Sequence, residues 1–121
     1  MAKQNLLIVD DERQFCEFVR KVAADLNFNV SVTCRAKEFQ ECYESAQPDV
    51  VVLDVIMPDT DGVELVQWLA ERGYTGKTIV VTGFNLSYAD ATKSLGAARG
   101  LMSITTLSKP VRLKALREAL Q

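Results

Sequence analysis

The sequence predicts an α/β fold in which one parallel sheet is covered by helices on both faces. Short apolar runs rich in β-branched residues alternate along the chain with segments whose apolar residues recur every three or four positions. The run at residues 50–53 is apolar without interruption, which is typical of a strand buried on both faces of a parallel sheet. Strands and helices that alternate in this way pack through right-handed crossovers.

The composition indicates one globular domain spanning residues 1–121 and argues against several classes of protein. With 48% hydrophobic and 25% charged residues, the chain is too apolar to be a disordered segment. A net charge of −2 gives no support for direct nucleic-acid binding. The sequence has neither a signal peptide nor an apolar run near the ~18 residues of a membrane span, so we expect a cytoplasmic protein without a membrane partner.

The absence of histidine narrows the chemistry that the chain can perform. It excludes histidine acid–base catalysis, Ser–His and Cys–His nucleophile pairs, and the commonest protein ligand of zinc. The three cysteines, Cys16, Cys34 and Cys42, are an odd number without metal-ligand spacing. We therefore expect them to be reduced thiols.

The first third of the chain predicts a strand, a helix and a second strand. Residues 6–9 are a short apolar run, and apolar residues then recur at helical spacing over residues 12–26, with Asp11 as the expected N-cap. Residues 30–34 alternate between apolar and polar, which favours a strand at the edge of the sheet.

The middle of the chain predicts a helix, the central strand and another helix. The helix over residues 36–46 is stopped by Pro48, because the residue before a proline avoids helical geometry. The central strand at residues 50–53 follows. The next helix, over residues 63–72, ends at Gly73, a residue type favoured just beyond helix ends.

The last third predicts two strands and two helices. Residues 78–82 form another apolar strand, and Ser87 is a suitable N-cap for a weakly patterned helix reaching Ala98. A more polar strand at residues 104–107 precedes a closing amphipathic helix at residues 112–120.

Polar residues stand at the ends of four predicted strands. Asp10 and Asp11 follow the first strand, Asp54 follows the third, Thr82 ends the fourth, and Lys109 follows the fifth. Parallel strands bring these ends to one edge. If the strand order is 2-1-3-4-5, the first and third strands are neighbours about 4.8 Å apart. We therefore expect the three aspartates to meet where open parallel sheets bind ligands.

Three carboxylates in one place repel one another and need a cation. A pair about 4 Å apart costs about 4 kcal/mol at an effective dielectric constant of about 20. Lys109 is one candidate cation, and a bound metal is the other. Oxygen ligands without cysteine or histidine favour Mg²⁺ or Mn²⁺. A carboxylate beside such an ion, an amine and a hydroxyl indicates a phosphoryl site, with Asp54 as the nucleophile.

From end to end, the chain resembles a response-regulator receiver domain of two-component signalling. The resemblance rests on four motifs that occur in order, namely Ile8-Val9-Asp10-Asp11-Glu12, Leu53-Asp54-Val55-Ile56-Met57-Pro58, Val80-Val81-Thr82-Gly83 and Ser108-Lys109-Pro110. It implies a flavodoxin-like, doubly wound fold: a five-stranded parallel sheet in the order 2-1-3-4-5 with five helices.

The resemblance also assigns roles to individual residues. It implies that Asp54 is the phosphoacceptor, that the Thr82 hydroxyl and the Lys109 amine contact the phosphoryl group, and that the Lys-Pro bond is cis. The implied Mg²⁺ ligands are the carboxylates of Asp10, Asp11 and Asp54 and the backbone carbonyl of Ile56. Among these, Asp11 matches the main metal-binding acid, and Asp10 matches one that acts through water.

Receiver domains are signalling modules rather than enzymes with a separate substrate, and this implies the partners. The phosphoryl donor would be a sensor histidine kinase or a histidine phosphotransfer protein. Phosphorylation would switch an output surface toward an effector domain or protein. Homodimerisation is compatible with the resemblance, and the sequence does not decide it.

The chain departs from the family pattern at two places. Thr106 occupies the position where receivers usually carry an aromatic ring that swings inward on phosphorylation, so the usual coupling to Thr82 cannot operate here. The segment from Thr82 to Lys109 is also a few residues longer than in compact receivers, and residues 96–110 replace the usual turn and short strand. This predicts a long fourth helix, a remodelled loop, or both. This segment resembles receivers fused to cyclic-di-GMP phosphodiesterase domains.

Three alternatives fit the sequence less well. A haloacid-dehalogenase-type phosphatase needs a second aspartate two positions after the nucleophile, where this chain has Ile56. A flavin-binding module would carry a Ser-, Thr- and Gly-rich phosphate loop after the first strand, whereas residues 10–12 are acidic. A degenerate receiver that only binds partners is disfavoured by the intact set of acids.

Overall fold

The computed structural model describes residues 3–55, 62–83, 86–101 and 103–121, and these residues contain five strands alternating with five helices. The strands are β1 (Gln4–Val9), β2 (Phe28–Thr33), β3 (Val50–Asp54), β4 (Lys77–Thr82) and β5 (Ser103–Ser108). The helices are α1 (Arg13–Asp25), α2 (Ala36–Ala46), α3 (Gly62–Glu71), α4 (Leu86–Ala98) and α5 (Leu113–Leu120).

The strands form one parallel sheet in the order β2-β1-β3-β4-β5. This confirms the predicted strand order, the parallel sheet and the edge position of β2. The chain runs outward from β1 to β2 and returns past β1 to β3, so the crossovers change direction between β1 and β3. The carboxyl ends of these two strands therefore border the switch point, where open α/β sheets bind ligands.

Two apolar layers cover the two faces of the sheet. Alternate residues of β3 belong to different layers: Val51 and Leu53 pack with α2 and α3, and Val50 and Val52 pack with α1 and α5. All five residues of β3 are buried, because the central strand has a neighbour on each side and helices on both faces. The uninterrupted apolar run of the sequence follows from this double coverage.

Two predicted helix starts are wrong. Asp11 was expected to cap α1, but Glu12 is the N-cap residue and makes no capping bond with its side chain. The Asp10 carboxylate instead accepts the backbone N–H of Glu12 at 2.8 Å. Helix α4 begins at Leu86, so Ser87 lies inside the helix and not at its cap.

A short connection joins α4 to β5. Helix α4 spans 13 residues and ends just before Gly100, which has a left-handed backbone with φ of 105°. The N–H of Leu101 turns back to the carbonyl of Gly96 at 2.9 Å, and β5 begins two residues later. The prediction of a long fourth helix, a remodelled loop, or both stays a prediction.

In the part of the chain that the structure describes, no helix is long and apolar enough to cross a bilayer.

Candidate functional site

Three aspartates lie together at the carboxyl edge of the sheet. Asp10 follows β1, Asp54 is the last residue of β3, and Asp11 opens the loop to α1. One carboxylate oxygen of each lies within 4.8 Å of the others. The register pairs Val9 with Leu53, so the residues that follow in both strands must meet at this edge. We call this group the three-aspartate cluster.

Asp10 is the most enclosed member of the cluster. It is 1% exposed, and its Oδ1 accepts the N–H of Glu12 while its own N–H donates to the Thr33 carbonyl at 3.2 Å. Burial is the main cause that raises the pKa of Asp10, and the nearby charge of Asp54 adds to it. Asp10 is therefore a carboxylate that burial disfavours and that needs a cation nearby.

Lys109 supplies the cation from the opposite side of the cluster. Its Nζ lies 3.0 Å from Asp10 Oδ2 and 3.5 Å from Asp54 Oδ2. Burial by itself lowers the pKa of Lys109, but the surrounding carboxylates, Asp10 first, raise it above its ordinary value. The amine is therefore a fixed positive charge at neutral pH.

The backbone around Lys109 ties it to the next strand. The Lys109 N–H donates to the carbonyl of Thr82 at 2.8 Å, and the register pairs Thr82 with Ser108. The Lys109-Pro110 peptide bond is cis, as the resemblance implied. Thr82 is 1% exposed at the end of β4, one strand away from Asp54.

Two residues from the start of α1 complete the surroundings of Lys109, and the sequence did not single them out. Glu12 places Oε2 3.1 Å from the Lys109 amine, and the ring of Phe15 lies 4.8 Å from it. Both residues are nearly a hundred positions away from Lys109 in the sequence, so motif spacing does not reveal these contacts. The acidic run at residues 10–12 was the available signal for Glu12.

The donor set fits a hard divalent cation. Although Lys109 lies close to Asp10 Oδ2, no donor among the described residues aligns with this buried oxygen as a hydrogen bond. The cluster offers only carboxylate oxygens, one from an exposed residue and two from buried ones. Oxygen ligands that leave room for water suit Mg²⁺ better than softer metals.

Comparison with known proteins identifies the family. The family model for the response regulator receiver domain matches residues 6–121. The chain belongs to this family. It is therefore a receiver domain of two-component signalling, a family whose function is phosphorylation on aspartate.

Individual relatives agree with this assignment and differ in length from the present chain. The receiver domain is 32% identical over 78 residues to the regulatory protein VanR of Enterococcus faecium, covering 64% of this chain and 33% of VanR. It is 29% identical over 118 residues to the response regulator protein PilR of Pseudomonas aeruginosa, covering 98% of this chain and 25% of PilR. The chain thus spans about a quarter to a third of the length of these relatives.

A solved structure supports the fold of the receiver domain directly. A response regulator from Colwellia psychrerythraea superposes with a TM-score of 0.83 at 27% identity, covering 98% of this chain and 94% of that one. The doubly wound, flavodoxin-like arrangement predicted for the chain is confirmed.

Two sequence predictions need separate mention. The predicted metal ligand at Ile56 lies outside the described residues, so its carbonyl stays a prediction. Thr106 lies half-buried in β5 and pairs in register with Val80. A threonine side chain at this place confirms that no aromatic ring of the usual kind is present there.

Proposed function

We propose that residues 1–121 form one receiver domain in which Asp54 accepts a phosphoryl group in a Mg²⁺-dependent reaction. The donor would be a sensor histidine kinase or a histidine phosphotransfer protein. The observation that carries this proposal is the meeting of Asp10, Asp11 and Asp54 within 4.8 Å, with the Lys109 amine 3.5 Å from Asp54. Acids from two strands and an amine from a third loop share one site.

The nucleophile is a carboxylate oxygen of Asp54. It attacks phosphorus, a P–O bond to aspartate forms, and the bond from phosphorus to the donor's leaving group breaks. Asp54 is 7% exposed, so the acceptor is shielded from most of the solvent but open to a small group. Lys109 offsets negative charge on the transferring oxygens.

A Mg²⁺ ion held by the carboxylates of Asp10, Asp11 and Asp54 would balance further charge on the phosphoryl oxygens. We infer the backbone carbonyl of Ile56 as a further ligand from the family resemblance alone. Asp11 is the exposed member of the cluster, so it is the acid that a hydrated ion can reach from solvent. Asp10 lies deeper and suits contact through water.

The Thr82 hydroxyl is proposed to hydrogen-bond the phosphoryl group once it is attached. Thr82 is buried at the end of β4, and its carbonyl is already used by the Lys109 N–H. Phosphorylation would then shift the balance between two arrangements of α4 and β5, which changes the surface offered to an effector. With Thr106 in the aromatic position, this shift must use other contacts.

The test of the acceptor is incubation with Mg²⁺ and acetyl phosphate, followed by intact-mass measurement. The wild-type chain should gain one phosphoryl group, about 80 Da, and Asp54→Ala should gain none. The product should be lost in alkali or hydroxylamine, because acyl phosphates are labile there.

Asp25→Ala is the matched control, since Asp25 is an exposed aspartate at the end of α1. It should gain mass at the wild-type rate. Equal gain in Asp54→Ala would place the acceptor elsewhere and overturn the proposal. Omission of Mg²⁺ with EDTA should abolish the gain in the wild-type chain as well.

A further inference from the structure

We propose that Glu12 is a positioning residue that holds Lys109 in the unphosphorylated site and releases it to the incoming phosphoryl group. The inference rests on the proposed function of Asp54 and adds a regulator of the same site. The Glu12 side chain acts through Lys109, whereas the backbone N–H of Glu12 donates separately to Asp10 Oδ1.

Three carboxylates surround the Lys109 amine, which donates hydrogen bonds to Glu12 and Asp54 and forms an ion pair with Asp10. Asp10 Oδ2, Glu12 Oε2 and Asp54 Oδ2 lie 3.0, 3.1 and 3.5 Å from Nζ. An ammonium group has three N–H donors and no acceptor. A phosphoryl oxygen that approaches Lys109 therefore competes with these carboxylates for the positive charge and the N–H donors of the amine.

Burial decides which carboxylate gives way. Asp54 carries the phosphoryl group, so it stays in place. The Asp10 side chain is 1% exposed, and leaving it without a cation strands a buried charge. The Glu12 side chain is 57% exposed, so water replaces the lost partner at little cost. Glu12 is therefore the exchangeable partner of Lys109.

Lys109 can exchange partners through its side chain while its backbone stays in place. Its backbone is fixed by the hydrogen bond from its N–H to the Thr82 carbonyl. The Phe15 ring lies 4.8 Å from Nζ and closes the α1 side. The amine therefore moves from Glu12 toward the phosphoryl group on Asp54 by rotation of the lysine side chain, and β5 keeps its position.

This competition predicts the effect of removing the Glu12 charge. In the wild-type chain, Lys109 must break one ion pair before it stabilises the transferring group. An exposed pair of this kind is worth about 0.2–1 kcal/mol, so Glu12→Gln should accelerate phosphorylation by about 1.4- to fivefold.

The experiment compares variants by intact mass against time, with acetyl phosphate as donor and Mg²⁺ at saturation for each variant. Glu12→Gln should be faster than wild type. Glu12→Asp keeps the charge but shortens the reach by one methylene, so it should also be faster. If Glu12→Asp keeps the wild-type rate, long-range charge and not the contact sets the rate, and the inference is wrong.

Glu17→Gln is the control for net charge. Glu17 lies on the same helix, is exposed and pairs with Arg20 at 2.6 Å. It removes one negative charge without touching Lys109, so its rate should equal that of wild type. An acceleration equal to that of Glu12→Gln would mean that the effect is repulsion of the anionic donor, which also overturns the inference.

A double-mutant cycle identifies the route of the effect. In a Lys109→Met background, Glu12→Gln should leave the slow residual rate unchanged, because Glu12 acts only through the amine. A purely structural role of Glu12 would change both backgrounds alike. An undiminished acceleration in Lys109→Met contradicts a positioning role.

The two proposals fail in different ways. Wild type that gains no mass, or Asp54→Ala that gains as much as wild type, overturns the acceptor assignment. If wild type and Glu12→Gln are phosphorylated on Asp54 at the same rate, the acceptor assignment stands and only the role of Glu12 is overturned.

Discussion

Burial separates the roles of Asp10 and Asp11, although they are neighbours in sequence. Asp10 is almost fully enclosed, its pKa is raised mainly by that burial, and it accepts two hydrogen bonds, the first from the Glu12 N–H. The second of these contacts is with Cys16, whose thiol donates to the Asp10 carbonyl at 3.3 Å. Asp11 is exposed. One acid therefore organises the loop, and the other is accessible from solvent.

The same contrast of burial predicts the reactivity of the cysteines. Burial, with a smaller contribution from the Asp10 charge, raises the pKa of Cys16 to about 12. Cys34 is exposed and Cys42 is half-buried. Ellman's reagent at pH 8 should therefore label Cys34 first in the folded chain and leave Cys16 unmodified, because the thiolate is the reactive form. Cys34→Ser should remove the fast phase, whereas Cys42→Ser should keep it.

The raised pKa of Cys16 should make the free energy of unfolding depend on pH in the alkaline range. Above the ordinary thiol pKa of 9.0, the unfolded chain loses the Cys16 proton while the folded chain keeps it up to about pH 12. The free energy of unfolding should therefore fall as pH rises through this range. Denaturant titrations should show a smaller fall for Cys16→Ala than for wild type. An equal fall of the free energy of unfolding with pH in both proteins would contradict the burial of this thiol.

Helix α4 packs closely against its neighbours because small residues occupy its buried positions. Its buried positions include Thr92 and Gly96 in place of large apolar residues. A Cβ atom built on Gly96 would lie 2.5 Å from Ile104 Cδ1 and 2.9 Å from Val66 Cγ1. Small residues in α4 thus let the helix pack directly against α3 and β5, and this accounts for its weak apolar pattern.

Gly96→Ala should destabilise the chain despite the higher helix propensity of alanine. The gain in propensity is about 1 kcal/mol, whereas the forced shift of Val66 and Ile104 should cost about 1–3 kcal/mol. We expect a net loss of about 1 kcal/mol in the free energy of unfolding, measured by urea titration.

Ser94→Ala is the matched control in the same helix. Ser94 is exposed, so alanine should raise helix stability without any contact to shift. If Gly96→Ala stabilises the chain as much as Ser94→Ala does, α4 can move away from the sheet at no cost, and the prediction is wrong.

The whole molecule gathers like charges at one edge of the sheet. Loops from β1 and β3 bring three carboxylates together, and Lys109 partly offsets their repulsion. In the absence of a second cation, this arrangement opposes folding. A ligand that binds only the folded chain stabilises it in proportion to the logarithm of its concentration over the dissociation constant.

Mg²⁺ should therefore raise the thermal stability of the chain. At a free concentration a hundredfold above the dissociation constant, the gain is about 2.7 kcal/mol. Asp11→Asn should lose most of this gain, and in EDTA it should be at least as stable as wild type, because one repelling charge is gone. Thermal unfolding with Mg²⁺ and with EDTA measures both effects.

Asp25→Asn should keep the full Mg²⁺ shift, since Asp25 lies at the end of α1, outside the three-aspartate cluster. A shift of equal size in Asp11→Asn would mean that the ion stabilises the chain from another place.

Most of the fold and the main site residues could be predicted from the sequence. Apolar periodicity located all ten elements within a few residues, because each strand and helix must bury one face or both. The N-cap of α1 was missed, since the Glu12 N–H bonds the Asp10 carboxylate and the helix begins one residue later than expected. The start of α4 was missed because its interior is unusually polar.

The sequence by itself determined the sheet order, through its motifs and the family that they resemble. It also predicted that three aspartates and Lys109 lie together, because strand ends in a parallel sheet share one edge. Only the tertiary structure decided that Asp10 is enclosed, that Gly96 sets the position of α4, and that Glu12 shares the Lys109 amine. These depend on contacts between residues far apart in the chain, at distances that periodicity and motif spacing do not encode.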